Sequence, residues 1–222
     1  MKWLMAVVLS FMFTQNLYAD DCGIGKSLAQ KSEFRTDGGF TPIDNSVTEV
    51  SVRLGCGNFD TFVWGIHDNS RGKINEVDYG IGYSFELFNL NGRIGIERWN
   101  YKETSGKNDV IISDISYNEL PFILSLKVTD VIDDDGTQIT TSISKDIEIG
   151  KLFGLSLKII PRAKLIYLDN FFGVTGHSND VYGITLNGTK DKFSINLVVN
   201  HHDGHKEFSD STQFVVATGY SF

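Results

Sequence analysis

The residues with the widest chemical repertoire lie late in the chain. His177 and the run His201-His202-Asp203-Gly204-His205 offer imidazoles of the kind that bind Zn²⁺. Such nitrogens must converge on one point. His201 and His202 are adjacent, and adjacent side chains of a strand leave on opposite faces. His205 falls beyond the strand, so the run reads as a solvated loop with no metal site. His177-Ser178-Asn179 could supply a nucleophile and its base, the chemistry of a lipid-modifying enzyme. A serine nucleophile needs a histidine within hydrogen-bond reach and an acid to orient it. Strand geometry again separates residues 177 and 178, and Asp180 has no assigned place. Asp133-Asp134-Asp135 could hold Ca²⁺, but a solvated acidic loop is the plainer reading. Gly80 and Gly82 are followed by no helix, which a phosphate-cradling glycine loop requires. No catalytic residue and no cofactor is expected.

The elements that would position any site begin after an export leader. Lys2, the apolar run Trp3 to Phe13 and the small residue Ala19 follow the order of a secretory signal peptide cut after Ala19. That run is too short to span a bilayer as a helix. The expected organisation is therefore 1–19 signal peptide and 20–222 a single domain. The chain carries 28 acids against 20 bases. Losing Lys2 with the leader takes its net charge to about −9, which argues against nucleic acid as a partner. Cys22 and Cys56 are the only cysteines. In an exported chain an even pair is expected to oxidise, here to one Cys22–Cys56 disulfide.

Downstream, period-two alternation dominates. Val77, Tyr79, Ile81, Tyr83 and Phe85 alternate with Asp78, Gly80, Gly82 and Ser84. Phe214, Val216, Thr218, Tyr220 and Phe222 form one face of the last segment. Phe122 to Val128, Phe153 to Ile159 and Phe193 to Val199 repeat the pattern. A sandwich would turn these apolar faces to a shared core; a transmembrane barrel turns them to lipid. Aromatics at the ends of the apolar faces (Tyr83, Phe85, Trp99, Tyr101, Tyr117, Tyr167, Tyr182 and Tyr220) suggest interfacial girdles.

Connection lengths point the same way. Long polar segments at His67–Lys73, Lys102–Asn108, Thr129–Thr137, Asp169–His177 and His202–Ser211 alternate with short ones. The short ones are Gly55–Asn58, Asn89–Gly92, Asn118-Glu119, Gly150-Lys151 and Asn187–Asp191. Barrels of the outer membrane have long outer loops and short periplasmic turns. Eleven strands are visible on this count, and an even number requires another at about Lys26–Arg35. The expectation is an all-β, closed, antiparallel up-and-down transmembrane β-barrel of 12 strands, with 10 as the alternative. Cys22 and Cys56 would then share one rim.

Phe34-Arg35, a glycine-rich turn, Pro42, Phe62-Val63-Trp64-Gly65, Glu76 to Ser84, Trp99 and Tyr101 occur in that order. This half of the chain resembles the TorF-type putative porins, small outer-membrane proteins of Gram-negative bacteria. The resemblance implies a porin-like barrel and no particular substrate. Alternation sends Glu76, Asp78, Glu97 and Asp114 inward, and likewise Lys158, Arg162 and Lys164. Opposed acidic and basic walls would set the polarity and width of a pore for small polar solutes. The same charges could instead pair and fill the barrel, giving a non-conducting structural or adhesion protein. Outer-membrane lipid and lipopolysaccharide would surround it. A terminal aromatic, here Phe222, resembles the signal by which the barrel-assembly machinery recognises such proteins.

Overall fold

The computed structural model describes residues 22–33, 43, 45–102, 106–132, 136–205 and 208–221. The leader, Phe34-Arg35, Pro42, Asp133 to Asp135 and Phe222 lie outside the described residues. The chain forms strands β1 (Cys22–Lys31), β2 (Val47–Cys56), β3 (Phe59–Asp68), β4 (Lys73–Leu87), β5 (Leu90–Asn100), β6 (Lys107–Tyr117) and β7 (Ile123–Val131). They are followed by β8 (Gly136–Ser144), β9 (Ile147–Leu152), β10 (Leu155–Phe171), β11 (Val174–Lys190), β12 (Phe193–Gly204) and β13 (Ser211–Ser221). No helix occurs among the described residues.

Successive strands pair antiparallel, and the sheet closes where β1 meets β13 through Gly25↔Ser221 to Lys31↔Val215. β8 and β9 lie end to end along one edge of β10, opposite Arg162–Asp169 and Leu155–Ile159 respectively. They are two halves of one stave, so the ring is a closed barrel of twelve staves with one of them split. Pro161 explains the split. Its carbonyl accepts from the Lys145 amide at 3.2 Å, so its nitrogen faces the same neighbour. That nitrogen carries no hydrogen, and the ladder is interrupted at Lys145-Asp146.

Alternation then sorts the side chains. Ile24, Leu28, Val50, Val63, Ile81, Ile96, Leu165 and Ile184 keep 42–59 % of their surface exposed on the outer wall. A continuous apolar belt of this kind faces lipid rather than water. Closure satisfies the wall's backbone groups internally, which hydrocarbon requires, apart from the edge of β9, which pairs only with β10. Pointing the other way, Ile66, Val110, Val131, Ile166 and Leu168 are buried.

The turns Gly57-Asn58, Phe88-Asn89 and Phe153-Gly154 lie on one rim, and both described chain ends lie there; Phe172-Gly173 caps the opposite rim. The hairpin tips Phe88-Asn89, Phe153-Gly154 and Phe172-Gly173 have positive φ at both positions. That is the two-residue turn whose twist suits a hairpin. Three expectations are corrected here. The first strand is Cys22–Lys31, not Lys26–Arg35. The turn expected at Gly150-Lys151 lies at Phe153-Gly154, because Lys151 still pairs with Ser156. Asp169–His177 is not a long loop but two strand ends joined at Phe172-Gly173. Its polarity reflects a hairpin that stands clear of the apolar belt.

Candidate functional site

The lumen is built by the inward half of each strand. Register puts Glu76 and Asp78 of β4, Glu97 of β5 and Asp114 of β6 on the inner wall. Lys158, Arg162 and Lys164 of β10 also face inward, almost diametrically across the ring from β4. All seven sequence-selected residues therefore share the lumen. Each set has its own local partners.

On the acidic wall the organiser is Arg93. Its guanidinium donates from Nε and Nη2 to the two carboxylate oxygens of Asp60, both at 2.9 Å. This is the fork geometry of a bidentate pair. Glu97 lies 3.9 Å away on the same strand. Gly82 makes this possible: a Cβ there would stand 2.4 Å from the Arg93 guanidinium. Arg53 approaches Asp60 at 3.8 Å and lies 5.7 Å over the Phe62 ring. Glu97 also accepts from the Trp99 indole at 3.2 Å. Asp78 accepts the Asn100 amide at 3.1 Å. Glu76 and Asp78 are buried, each with less than a tenth of its surface exposed.

The basic wall is looser. Lys158 pairs with Asp146 at 3.1 Å, with both side chains partly exposed. Arg162 donates to Asn200 at 3.1 Å, and Asn200 donates to Gln213 at 3.3 Å. Gln213 in turn donates to the Glu33 carbonyl at 3.1 Å, tying β13 to the chain leaving β1. Gly183 leaves room for this relay, since a Cβ would stand 2.4 Å from the Asn200 oxygen.

Toward the rim with the longer loops the inner wall turns apolar. Val110, Ile112, Val131, Ile166, Leu168, Phe171 and Val181 pack together, joined by Trp99, Val174 and Phe208. Phe208 comes from the β12–β13 connection, which thus folds into the mouth. Ile43, between β1 and β2, packs likewise with Val47, Ile66 and Trp64. The lumen is polar along part of its length and narrowed by apolar contacts near the loop rim.

Three assignments change in detail. Trp99 and Tyr101 belong to no girdle. Trp99 packs in the lumen, and Tyr101 bridges to Glu76 on the inner face. Asp60, Phe62 and Trp64 were not selected from sequence, yet they line the same wall. Their alternation with Thr61 and Val63 carried that signal. Ser178 is buried in the wall and donates to the Ile166 carbonyl at 3.2 Å. Its hydroxyl is turned to that carbonyl, while His177 Nε2 lies 2.8 Å from Asp180 Oδ1. His201 is exposed and His202 buried, on opposite faces. The expected disulfide joins Cys22 to Cys56, directly opposite each other at the turn rim.

A closed twelve-stave wall, an apolar exterior and a charged interior define a transmembrane β-barrel. Solved structures share this fold. The chain is similar to the KdgM porin in complex with disordered oligogalacturonate (TM-score 0.59, 11 % identity, 90 % of this chain and 99 % of that one). It is similar to the NanC porin (TM-score 0.54, 8 % identity, 90 % and 99 %). It is also similar to LpxR from Salmonella typhimurium (TM-score 0.54, 8 % identity, 89 % and 99 %). Identities this low establish the fold alone. No family model and no curated protein matches the chain.

Proposed function

We propose that this barrel is a porin-like channel of the cell outer membrane, exported through the cleaved leader 1–19 and performing no chemical step. It passes small polar solutes by passive diffusion. The observation that carries the reading is the distribution of inward charge. Acids gather on β4 to β6 and bases on β10, and Lys158 and Arg162 find their partners locally, in Asp146 and Asn200. Inward charge in a membrane protein marks a solute path by default. The KdgM porin, solved in complex with disordered oligogalacturonate, and the NanC porin share this architecture. The order of aromatic elements in the first half supports a place among the TorF-type porins. Outer-membrane lipid and lipopolysaccharide are the surrounding partners, and Phe222 is the contact for the barrel-assembly machinery.

A second reading has its own support. The apolar packing of Phe208 and Ile43 near the loop rim fits a filled, non-conducting structural or adhesion barrel. Planar-bilayer recording of the refolded protein separates the two, after a heat-modifiable gel shift confirms folding. Discrete current steps are expected. A folded barrel that stays silent would overturn the channel.

A further inference from the structure

Residues three apart on a regular strand point to opposite sides of a sheet. His177 and Asp180 do not. Ile166 pairs with Asn179 and Tyr167 with His177, so Ser178 is an extra, unpaired residue of β11. The bulge shifts the phase by one and brings His177 onto the same outer face as Asp180. The same bulged residue fixes a third group. The Ser178 carbonyl accepts the His205 amide at 2.8 Å, which draws the start of the β12–β13 connection back over β11. Two further bonds hold that connection. The Gly204 amide donates to Asp210 at 3.0 Å, and the Phe208 amide donates to the His205 carbonyl at 3.2 Å.

Three potential ligand atoms converge as a result. His177 Nε2 lies 2.8 Å from Asp180 Oδ1, and His205 Nε2 lies 3.3 Å from Asp180 Oδ2. The imidazole rings face each other at 4.2 Å. All three ligand atoms fall within 4.8 Å of one another. Tetrahedral Zn²⁺ holds its nitrogen and oxygen ligands about 3.3 Å apart, so the cluster needs only a small rearrangement to accept the ion. The side chains of His177 and His205 are 44 % and 36 % exposed, leaving an approach from solvent. Asp203 stands directly across from Asp180 on β12 and shares its face, adding negative charge beside the cluster.

We propose that His177, Asp180 and His205 form a divalent-metal site of the Zn²⁺ class on the outer wall at the loop rim, assembled by the bulge at Ser178. Two imidazoles and one carboxylate are a borderline donor set that favours Zn²⁺ over Mg²⁺ or Ca²⁺. The ion would clamp the β12–β13 connection to β11, and hence hold Phe208 in the mouth.

The test uses the refolded full-length mature chain, without a polyhistidine tag. Zn²⁺ is titrated in competition with a chromophoric chelator. Co²⁺ serves as a spectroscopic probe, because tetrahedral coordination gives intense visible bands. One saturable equivalent is expected, weakened about tenfold or more by Asp180→Asn and by His205→Ala. His201→Ala, outside the cluster, should leave it unchanged. Absence of saturable binding, or binding indifferent to Asp180→Asn and His205→Ala, overturns the site. Should a variant fail to fold, the Co²⁺ spectrum of the unaltered protein still decides: lack of a tetrahedral spectrum overturns the proposal. None of these readouts depends on conductance.

Discussion

Reversing the basic wall is the most direct challenge to a conducting lumen. Arg162 and Lys164 are successive inward residues of β10, and Arg162→Glu with Lys164→Glu changes the lumen charge by about four units at one height. Twelve staves at about 4.8 Å spacing, tilted about 40°, give a backbone radius of about 12 Å. Long side chains reaching inward leave their charges about 6 Å from the axis. In water each unit then contributes about 0.7 kcal/mol to a monovalent ion on the axis. Four units give about 3 kcal/mol, and salt at about 0.1 M screens this to about 1.5 kcal/mol. That is about tenfold in favour of cations and tenfold against anions. The assay is the reversal potential across a bilayer under a KCl gradient. It should move toward the potassium equilibrium potential with the unit conductance retained. An unchanged reversal potential, in channels that still open, would show that β10 does not border the conducting path.

Further outcomes are expected elsewhere in the barrel. Truncating Phe208 to Ala removes a contact from the apolar cluster near the loop rim and should raise single-channel conductance, read in the same bilayers. Reducing Cys22–Cys56, separated by 34 residues, restores loop entropy to the unfolded chain. It should lower stability by about 4 kcal/mol, measured by urea unfolding in detergent. Asp60→Asn abolishes the charged fork to Arg93. It should cost about 2 kcal/mol and shift selectivity toward anions; an unaltered unfolding midpoint would count against the pair as a structural element. Gly80→Ala puts a Cβ 2.7 Å from the Ile96 carbonyl, a backbone atom that cannot turn aside. Destabilisation of about 1–3 kcal/mol should appear in the same titration.

The parts of the fold that sequence made legible are those governed by period two. The alternation around Val77 to Phe85 assigns each residue to the face it occupies, because one side of a barrel wall meets only lipid. The inward direction of the seven charges follows from the same alternation. What escaped was set by chain contacts that alternation does not encode. Trp99 reads as an interfacial aromatic until β6 and β10 are seen to pack against it inside. The polar stretch Asp169–His177 reads as a loop because polarity reports solvent, and a hairpin rising above the membrane belt is equally wet. Asp60 shares the alternation of Phe62 and Trp64, but its closeness to the Gly57-Asn58 turn hid it, and its fork to Arg93 depends on a strand pairing that the sequence does not state. The His177–Asp180–His205 cluster depends on one inserted residue, Ser178, which reverses a parity that the sequence presents as regular.

The split stave has a consequence in time as well as in shape. Where the ladder lapses at Lys145-Asp146, one backbone hydrogen bond, from the Lys145 amide to the Pro161 carbonyl, and the Lys158–Asp146 pair are what tie the seam to β10. Thermal fluctuation will find this seam before others, since local opening starts where cross-links are fewest. Amide exchange there should outpace exchange in the intact neighbouring staves. Arg162 stands immediately beside Pro161 on the inner face, where Asn200 holds its guanidinium. The wall expected to open first thus adjoins the basic side of the lumen.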